Sequence, residues 1–163
     1  MGKKKKNQNS NTDPNNRIVT RNRRARHNFE LMDTYDAGLV LMGSEIKSIR
    51  AGKVNLADGF VQERDGELWL MNVHVSPYDQ ASHFGHTDPI RPRKLLLHKK
   101  EIAKIITDIR EISYTAVPTK LYLTRGIAKV EIATARGKKL YDKRQDLRKR
   151  DSNRQIQRAL KDH

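Results

Sequence analysis

A run of seven residues near the C-terminus combines the side-chain types that bind RNA. It reads Lys138-Lys139-Leu140-Tyr141-Asp142-Lys143-Arg144. Cationic groups neutralise phosphates, and an unpaired base can stack on a tyrosine ring or on a guanidinium plane. Residues 138–163 hold ten Lys/Arg and four Asp, an excess of six cations. A solvated helix face is the alternative, but this excess favours contact with a nucleic acid, and Arg148, Lys149 and Arg150 form a second cluster.

A second basic cluster lies before the first predicted strand. It reads Arg21-Asn22-Arg23-Arg24-Ala25-Arg26-His27. A bare basic run could also be a localisation signal or a solubilising arm. Its position directly before the folded region favours an RNA contact that is continuous with the folded surface.

The histidines raise the question of a metal site or an enzyme. His83 and His86, with Asp79 and Asp88 nearby, could supply two nitrogens and a carboxylate. The chain has no cysteine, so thiolate ligands and thiol catalysis are excluded. No Ser/His/Asp arrangement or glycine-rich phosphate loop is recognisable. We therefore expect a polar loop around His83, with no metal, no cofactor and no enzymatic activity.

The distribution of charge predicts a polyanionic partner. The formal net charge is +15, of which residues 1–27 carry +8 and residues 138–163 carry +6. The 110 residues between them carry only +1. Two cationic terminal segments of this kind are typical of proteins that bind a nucleic acid or an anionic membrane surface. No apolar run reaches the roughly 18 residues that a membrane span needs. We therefore expect a cytoplasmic location without membrane contact.

Turn and periodicity signals predict the elements that position these residues. Hairpins are predicted around Asp65-Gly66, between residues 60–64 and 67–71, and around Arg125-Gly126, between residues 120–123 and 128–132. Alternating apolar residues from Phe29 to Leu41 predict two strands around a turn at residues 36–38. Residues 94–97 are expected to form a short buried strand or the lead-in to the next helix. Residues 1–20 are expected to be a disordered leader.

Two helices are predicted within the folded region. A short helix begins with Ser44 as its N-cap and ends near Gly52. A longer helix has one apolar face, formed by Ile102, Ile105, Ile106 and Ile109. Six or so antiparallel strands predict a mainly β fold, either a small closed barrel or a helix packed on an open sheet. The tail, residues 138–163, is expected to be disordered when free and helical against a polyanion.

Four motifs, in order, resemble the SsrA-binding protein family (small protein B). They are residues 22–27 and 45–52, then Arg93-Lys94-Leu95-Leu96-Leu97-His98 and residues 137–144. The resemblance covers roughly residues 22–150. It implies an antiparallel barrel like the oligonucleotide-binding (OB) fold, with three helices, over residues 21–137.

The resemblance also implies a role in ribosome rescue. Family members bind the tRNA-like domain of transfer-messenger RNA (tmRNA, or SsrA RNA) and deliver it to stalled ribosomes for trans-translation. Their tails enter the decoding centre of 16S rRNA and the empty mRNA channel. Elongation factor Tu, carried with the charged tmRNA, is a further implied partner. A structural ribosomal protein that binds rRNA is the alternative, and an RNA-processing enzyme is disfavoured because no acidic cluster is present.

The resemblance assigns residues to two surfaces. The tmRNA-binding residues would be Asn22, Arg23, Arg26, His27, Glu45, Lys47, Leu96 and His98. The tail residues that contact rRNA and the decoding centre would be Lys138, Lys139, Tyr141, Asp142, Lys143, Arg144, Arg148, Lys149 and Arg150. Tyr141 stands where family members often have histidine, and both rings can stack on a base.

Overall fold

A computed structural model describes residues 16–78 and 88–161 of the chain. The described residues form nine strands and four helices, so the fold is mainly β as predicted. The strands are β1 (Asn16–Arg21), β2 (Phe29–Leu39), β3 (Val54–Asn55), β4 (Phe60–Arg64), β5 (Glu67–Met71), β6 (His74–Val75), β7 (Arg93–Leu96), β8 (Thr115–Thr124) and β9 (Ile127–Gly137). The helices are α1 (Arg23–Asn28), α2 (Gly43–Arg50), α3 (Lys99–Glu111) and α4 (Leu140–Lys161).

Seven strands form one antiparallel sheet in the order β1-β8-β9-β2-β7-β5-β4, and β3 pairs with β6. In the described part of the chain no ladder joins the end strands β1 and β4, so the hydrogen-bonded barrel is not closed. The structure has a few more elements than the six or so strands and three helices expected, and the mainly β antiparallel architecture is confirmed. The core is apolar and lies beneath the sheet, where it includes Ile49, Leu70, Leu95, Ile105 and Ile132.

Both predicted hairpins are confirmed. In the β4–β5 hairpin the strand residues pair in register from Phe60 with Met71 to Arg64 with Glu67. Asp65 and Gly66 have φ values of 52° and 75°, which suit the tight turn of a two-residue hairpin. The β8–β9 hairpin is longer than predicted, because its ladder extends back to Thr115. Helix α3 is also confirmed, with Ile105 fully buried.

Three local expectations were wrong. Residues 36–38 lie inside β2 rather than in a turn, because Ala37 is fully buried and Gly38 pairs with both β7 and β9. Helix α2 begins at Gly43 and is capped by Met42, not by Ser44. Residues 16–20 belong to β1, which pairs with β8, so they are not part of a disordered leader. Residues 1–15 lie outside the described residues.

Gly59, the residue directly before β4, permits close packing and leads to a prediction. A Cβ on the buried Gly59 would lie 2.6 Å from Val73 Cγ2 and 2.9 Å from Pro118 Cγ. Gly59→Ala should therefore lower the free energy of unfolding by about 1–3 kcal/mol. Gly43→Ala is the matched control, since a Cβ there meets nothing within 4 Å. Urea unfolding of both variants checks this, and equal stabilities would contradict it.

Candidate RNA interface

Glu45 forms a buried ionic network instead of facing solvent. Its side chain is 4% exposed and accepts hydrogen bonds at 2.9 Å from both Arg91 Nε and Arg93 Nε. The Met42 backbone N–H also donates to Glu45 Oε2 at 2.9 Å. Arg93, 1% exposed, also donates to the carbonyls of Val73 at 2.8 Å and Pro89 at 3.0 Å. The network therefore joins α2 to the segment that leads into β7.

This geometry corrects the assignment of Glu45 as a direct RNA contact. A buried carboxylate with two arginine partners does not reach the phosphates of a bound RNA. Its negative charge would also repel those phosphates. Its expected influence on RNA binding is therefore indirect, through the position of α2 and of the residues that follow Arg93.

The network also predicts acid sensitivity. Burial alone would raise the pKa of Glu45, but hydrogen bonds from Arg91 and Met42 and the charge of Arg93 outweigh it and hold the pKa below its usual value. A carboxyl with a lowered folded pKa stabilises the protein above its unfolded pKa, and this contribution is lost as pH falls through the folded pKa. Unfolding free energies measured between about pH 6 and pH 3 should therefore fall more steeply for the wild type than for Glu45→Gln. Parallel curves would contradict this role.

The solvent face of α2 carries two cations. Lys47 is exposed, and its ammonium group lies 5.4 Å from the centre of the Tyr78 ring. Arg50 is exposed and donates to the Gly126 carbonyl at 3.3 Å, which ties α2 to the tip of the β8–β9 hairpin. Lys47 thus lies on the solvent face of a helix that the Glu45 network anchors, and its RNA contact stays a prediction.

The end of β7 presents an exposed leucine on the outer face of the sheet. Leu96 is 51% exposed and pairs with Gly38, where an added Cβ would lie 3.3 Å from Leu96 Cβ. Gly38 pairs in turn with Lys129, which pairs with Tyr122. These residues form one cross-strand row. Lys129 becomes a candidate only through this register, because a single lysine in an alternating strand gives no local signal in the sequence.

His98 lies two residues beyond this row and caps α3. It is exposed, and its backbone N–H donates to Glu101 Oε2 at 3.1 Å. The imidazole therefore sits at the start of a helix whose next two residues are Lys99 and Lys100, both exposed. Leu96 and His98 are therefore both exposed near the junction of β7 and α3, and their assignment to RNA binding stays a prediction.

The N-terminal basic cluster folds into α1, a helix that the sequence analysis did not predict. Asn22 is buried, so its assignment as an RNA contact is corrected. Its amide donates to the carbonyls of Leu56 and Pro118, both at 2.9 Å, and its Oδ1 accepts from the Ala25 N–H at 3.0 Å. Arg23 and Arg26 are exposed and His27 is half-buried. Asn22 thus positions α1, which presents the cations.

The tail forms α4, a helix with no buried residue. Tyr141 is 68% exposed, and Lys139, Asp142, Arg144, Arg148, Lys149 and Arg150 are also exposed. Lys143 is half-buried. Lys138 differs from the other cations, because its side chain is only 17% exposed and is bonded within the protein. It is therefore not available to rRNA in this conformation.

The described residues contain no cluster of three or more His, Asp or Glu side chains that could hold a metal. His83 and His86 lie outside the described residues. In the same described ranges, no helix is both long and apolar enough to cross a bilayer.

An antiparallel sheet with exposed cations on two helices and a basic tail defines a class, the small β-sheet RNA-binding proteins. Within that class one family can be identified. The family model described as "SmpB protein" matches residues 19–162, so the chain belongs to the SmpB family.

Curated relatives agree with this family. The SsrA-binding protein of Thermosynechococcus vestitus is 53% identical over 145 residues, 89% of this chain and 95% of that protein. The SsrA-binding protein of Bacillus pumilus is 54% identical over 146 residues, 90% of this chain and 93% of that protein. A chain from a structural study of tmRNA–SmpB in the bacterial ribosome is 46% identical, with a TM-score of 0.63. That match covers 76% of this chain and 85% of the other.

Proposed function

We propose that this protein binds tmRNA and acts with it in trans-translation on stalled ribosomes. The observation that carries the proposal is the family match, which runs from within β1 through the whole of α4 and therefore includes both the sheet and the basic tail. The relatives are named for binding SsrA RNA. The alternative, a structural ribosomal protein, is not favoured by any of these relatives.

The two cationic regions suggest a division of labour. Residues 21–137 would hold the tRNA-like domain of tmRNA, with Lys47, Leu96, His98 and Lys129 in contact with it. Residues 138–163 would enter the decoding centre of 16S rRNA and the empty mRNA channel. The exposure of Leu96 and of nearly every tail cation supports this division, since groups that bind a partner must reach solvent in the free protein.

The α1 cations would extend the RNA-binding region of the body. Arg23 and Arg26 are exposed on a helix that Asn22 fixes to the sheet, so their charges are held in place before RNA arrives. Such preorganisation lowers the entropic cost of binding.

Three further features belong to the same proposal. The protein would act as an adaptor and not as an enzyme. Elongation factor Tu would join it on the charged tmRNA. It would work in the cytoplasm, where the ribosomes and tmRNA are.

A reconstituted translation assay tests the proposal. Ribosomes are stalled on an mRNA that lacks a stop codon, in the presence of charged tmRNA and elongation factor Tu, with or without this protein. We expect addition of the tmRNA-encoded peptide only when the protein is present. Tagging that is equal without the protein would contradict the proposal, and tight association with assembled subunits in the absence of tmRNA would favour the ribosomal-protein alternative.

A further inference from the structure

One lysine joins the body of the protein to the tail helix. The Lys138 ammonium group donates to the Arg26 carbonyl at 3.0 Å and to Asp146 Oδ2 at 2.5 Å. The Lys138 backbone N–H donates to the Asn28 carbonyl at 2.9 Å. The two carbonyls belong to the last turn of α1, where a cation is favourable. Lys138 thus connects the C-terminal end of α1 to the second turn of α4.

Packing gives α4 little other attachment to the body. Leu140 is 74% exposed and Leu147 is 47% exposed, and no residue of α4 is buried. The hydrogen bond from Gln145 to Tyr141 stays within the helix. Because no apolar face holds α4 in place, a polar contact at its base has a large influence on its direction.

We propose that Lys138 and Asp146 form a clasp, the ion pair that sets the direction in which the tail helix leaves the body. Both are positioning residues. The clasp fixes the first two turns of α4, residues 140–146, relative to the body in the RNA-free protein, and the later turns continue the helix in the direction that these two turns set. Its consequence for ribosome rescue rests on the proposed function, but its existence does not.

Charge supports a positioning role over a phosphate-binding role for Lys138. Its hydrogen bond to Asp146 holds the pKa of that carboxyl below its usual value, as expected for a formed ion pair. If Lys138 instead served as a phosphate ligand, Asp146 would be a competing anion. Removing its charge would then strengthen ribosome engagement. The clasp predicts the opposite sign, because the same change releases the helix.

Distances between spin labels test the clasp in the free, full-length protein. The chain has no cysteine, so labels can be placed at Ala103→Cys on the exposed face of α3 and Leu147→Cys just after the second turn of α4. We expect a narrow distance distribution, and loss of its narrow component in Asp146→Asn and in Lys138→Met. Asp151→Asn, an exposed residue of the same helix, is the matched control and should leave the distribution unchanged. A distribution that is equally broad in all four proteins would overturn the clasp.

Peptide tagging with tmRNA tests the consequence. Asp146→Asn should lower tagging roughly two- to fivefold, the range expected for a partly exposed ion pair, with tmRNA affinity unchanged. Adding Lys138→Met should lower it no further, because both changes open the same contact. Increased tagging in Asp146→Asn, or an additive loss in the double variant, would assign Lys138 to RNA and overturn the positioning role. If the protein supports no tagging at all, the proposed function fails while the distance measurement still decides the clasp.

Discussion

Glu45→Ala should cost the protein about 3–5 kcal/mol of unfolding free energy, the usual effect of removing one partner from a buried ion pair. Arg93 is 1% exposed and would keep its charge in the core without its hydrogen-bonded carboxylate partner. Arg91, which is 22% exposed, could turn toward water, so the loss arises mainly from Arg93. Urea unfolding at neutral pH measures the effect.

An exposed ion pair provides the matched control, because it separates the effect of burial on stability from the effect of losing any ion pair. Glu67 pairs with Lys94 at 2.5 Å, but their side chains are 46% and 36% exposed. Glu67→Ala should therefore change stability by less than about 1 kcal/mol. Equal losses in the two variants would show that the burial of the Glu45 network is not what matters.

Glu45→Ala should also weaken tmRNA binding, although it removes a negative charge from an RNA-binding protein. Helix α2, which carries Lys47, and the strand that ends at Leu96 are both attached to Glu45, directly or through Arg93. Affinity is measured on protein confirmed as folded by circular dichroism, at a temperature well below its unfolding transition. Stronger or unchanged binding would contradict the positioning role.

Replacing Tyr141 and Lys143 together with Ala should abolish peptide tagging and leave tmRNA affinity nearly intact. Both residues lie on α4, outside the surface of Lys47, Leu96 and His98 that is proposed to hold tmRNA. Tyr141 offers a 68% exposed ring for stacking on a base, and Lys143 offers a charge for a phosphate. Their loss should therefore affect the ribosomal step alone.

Leu160→Ala with Lys161→Ala is the control for this experiment. It removes an exposed apolar side chain and a cation from the far end of the same helix. Tagging should persist in the control variant. Equal loss of tmRNA affinity and tagging in the Tyr141 and Lys143 variant would refute the division between body and tail.

Local turn chemistry explains why the two hairpins could be predicted. Asp65 and Gly66, like Arg125 and Gly126, adopt positive φ angles that turn-forming residues favour, so a few adjacent residues determine each hairpin. The apolar spacing of α3 is equally local. The same local reasoning failed at residues 36–38, because Gly38 serves close strand packing against Leu96 and not a turn.

The parts of the site that were missed depend on contacts between distant residues. Glu45 was assigned to RNA binding from its motif, whereas its partner Arg93 is 48 positions away. Asn22 appeared to belong to a basic RNA-binding run, whereas its amide bonds reach Leu56 and Pro118. Lys138 resembled the other tail cations until its contact with the end of α1 was visible. Sequence motifs indicated the candidate regions, but only the fold separates exposed candidates for RNA contact from buried residues that position them.

The measurement that tests the central claim most directly is affinity for the tRNA-like domain of tmRNA and for a size-matched ordinary tRNA, across a salt series. A chain of net charge +15 adheres to any RNA at low salt, so the comparison must extend through physiological ionic strength. We predict a preference for the tRNA-like domain that survives at physiological salt. If both RNAs bind alike and dissociate together as salt rises, binding is only cationic adhesion and the claim of a specific tmRNA partner is contradicted.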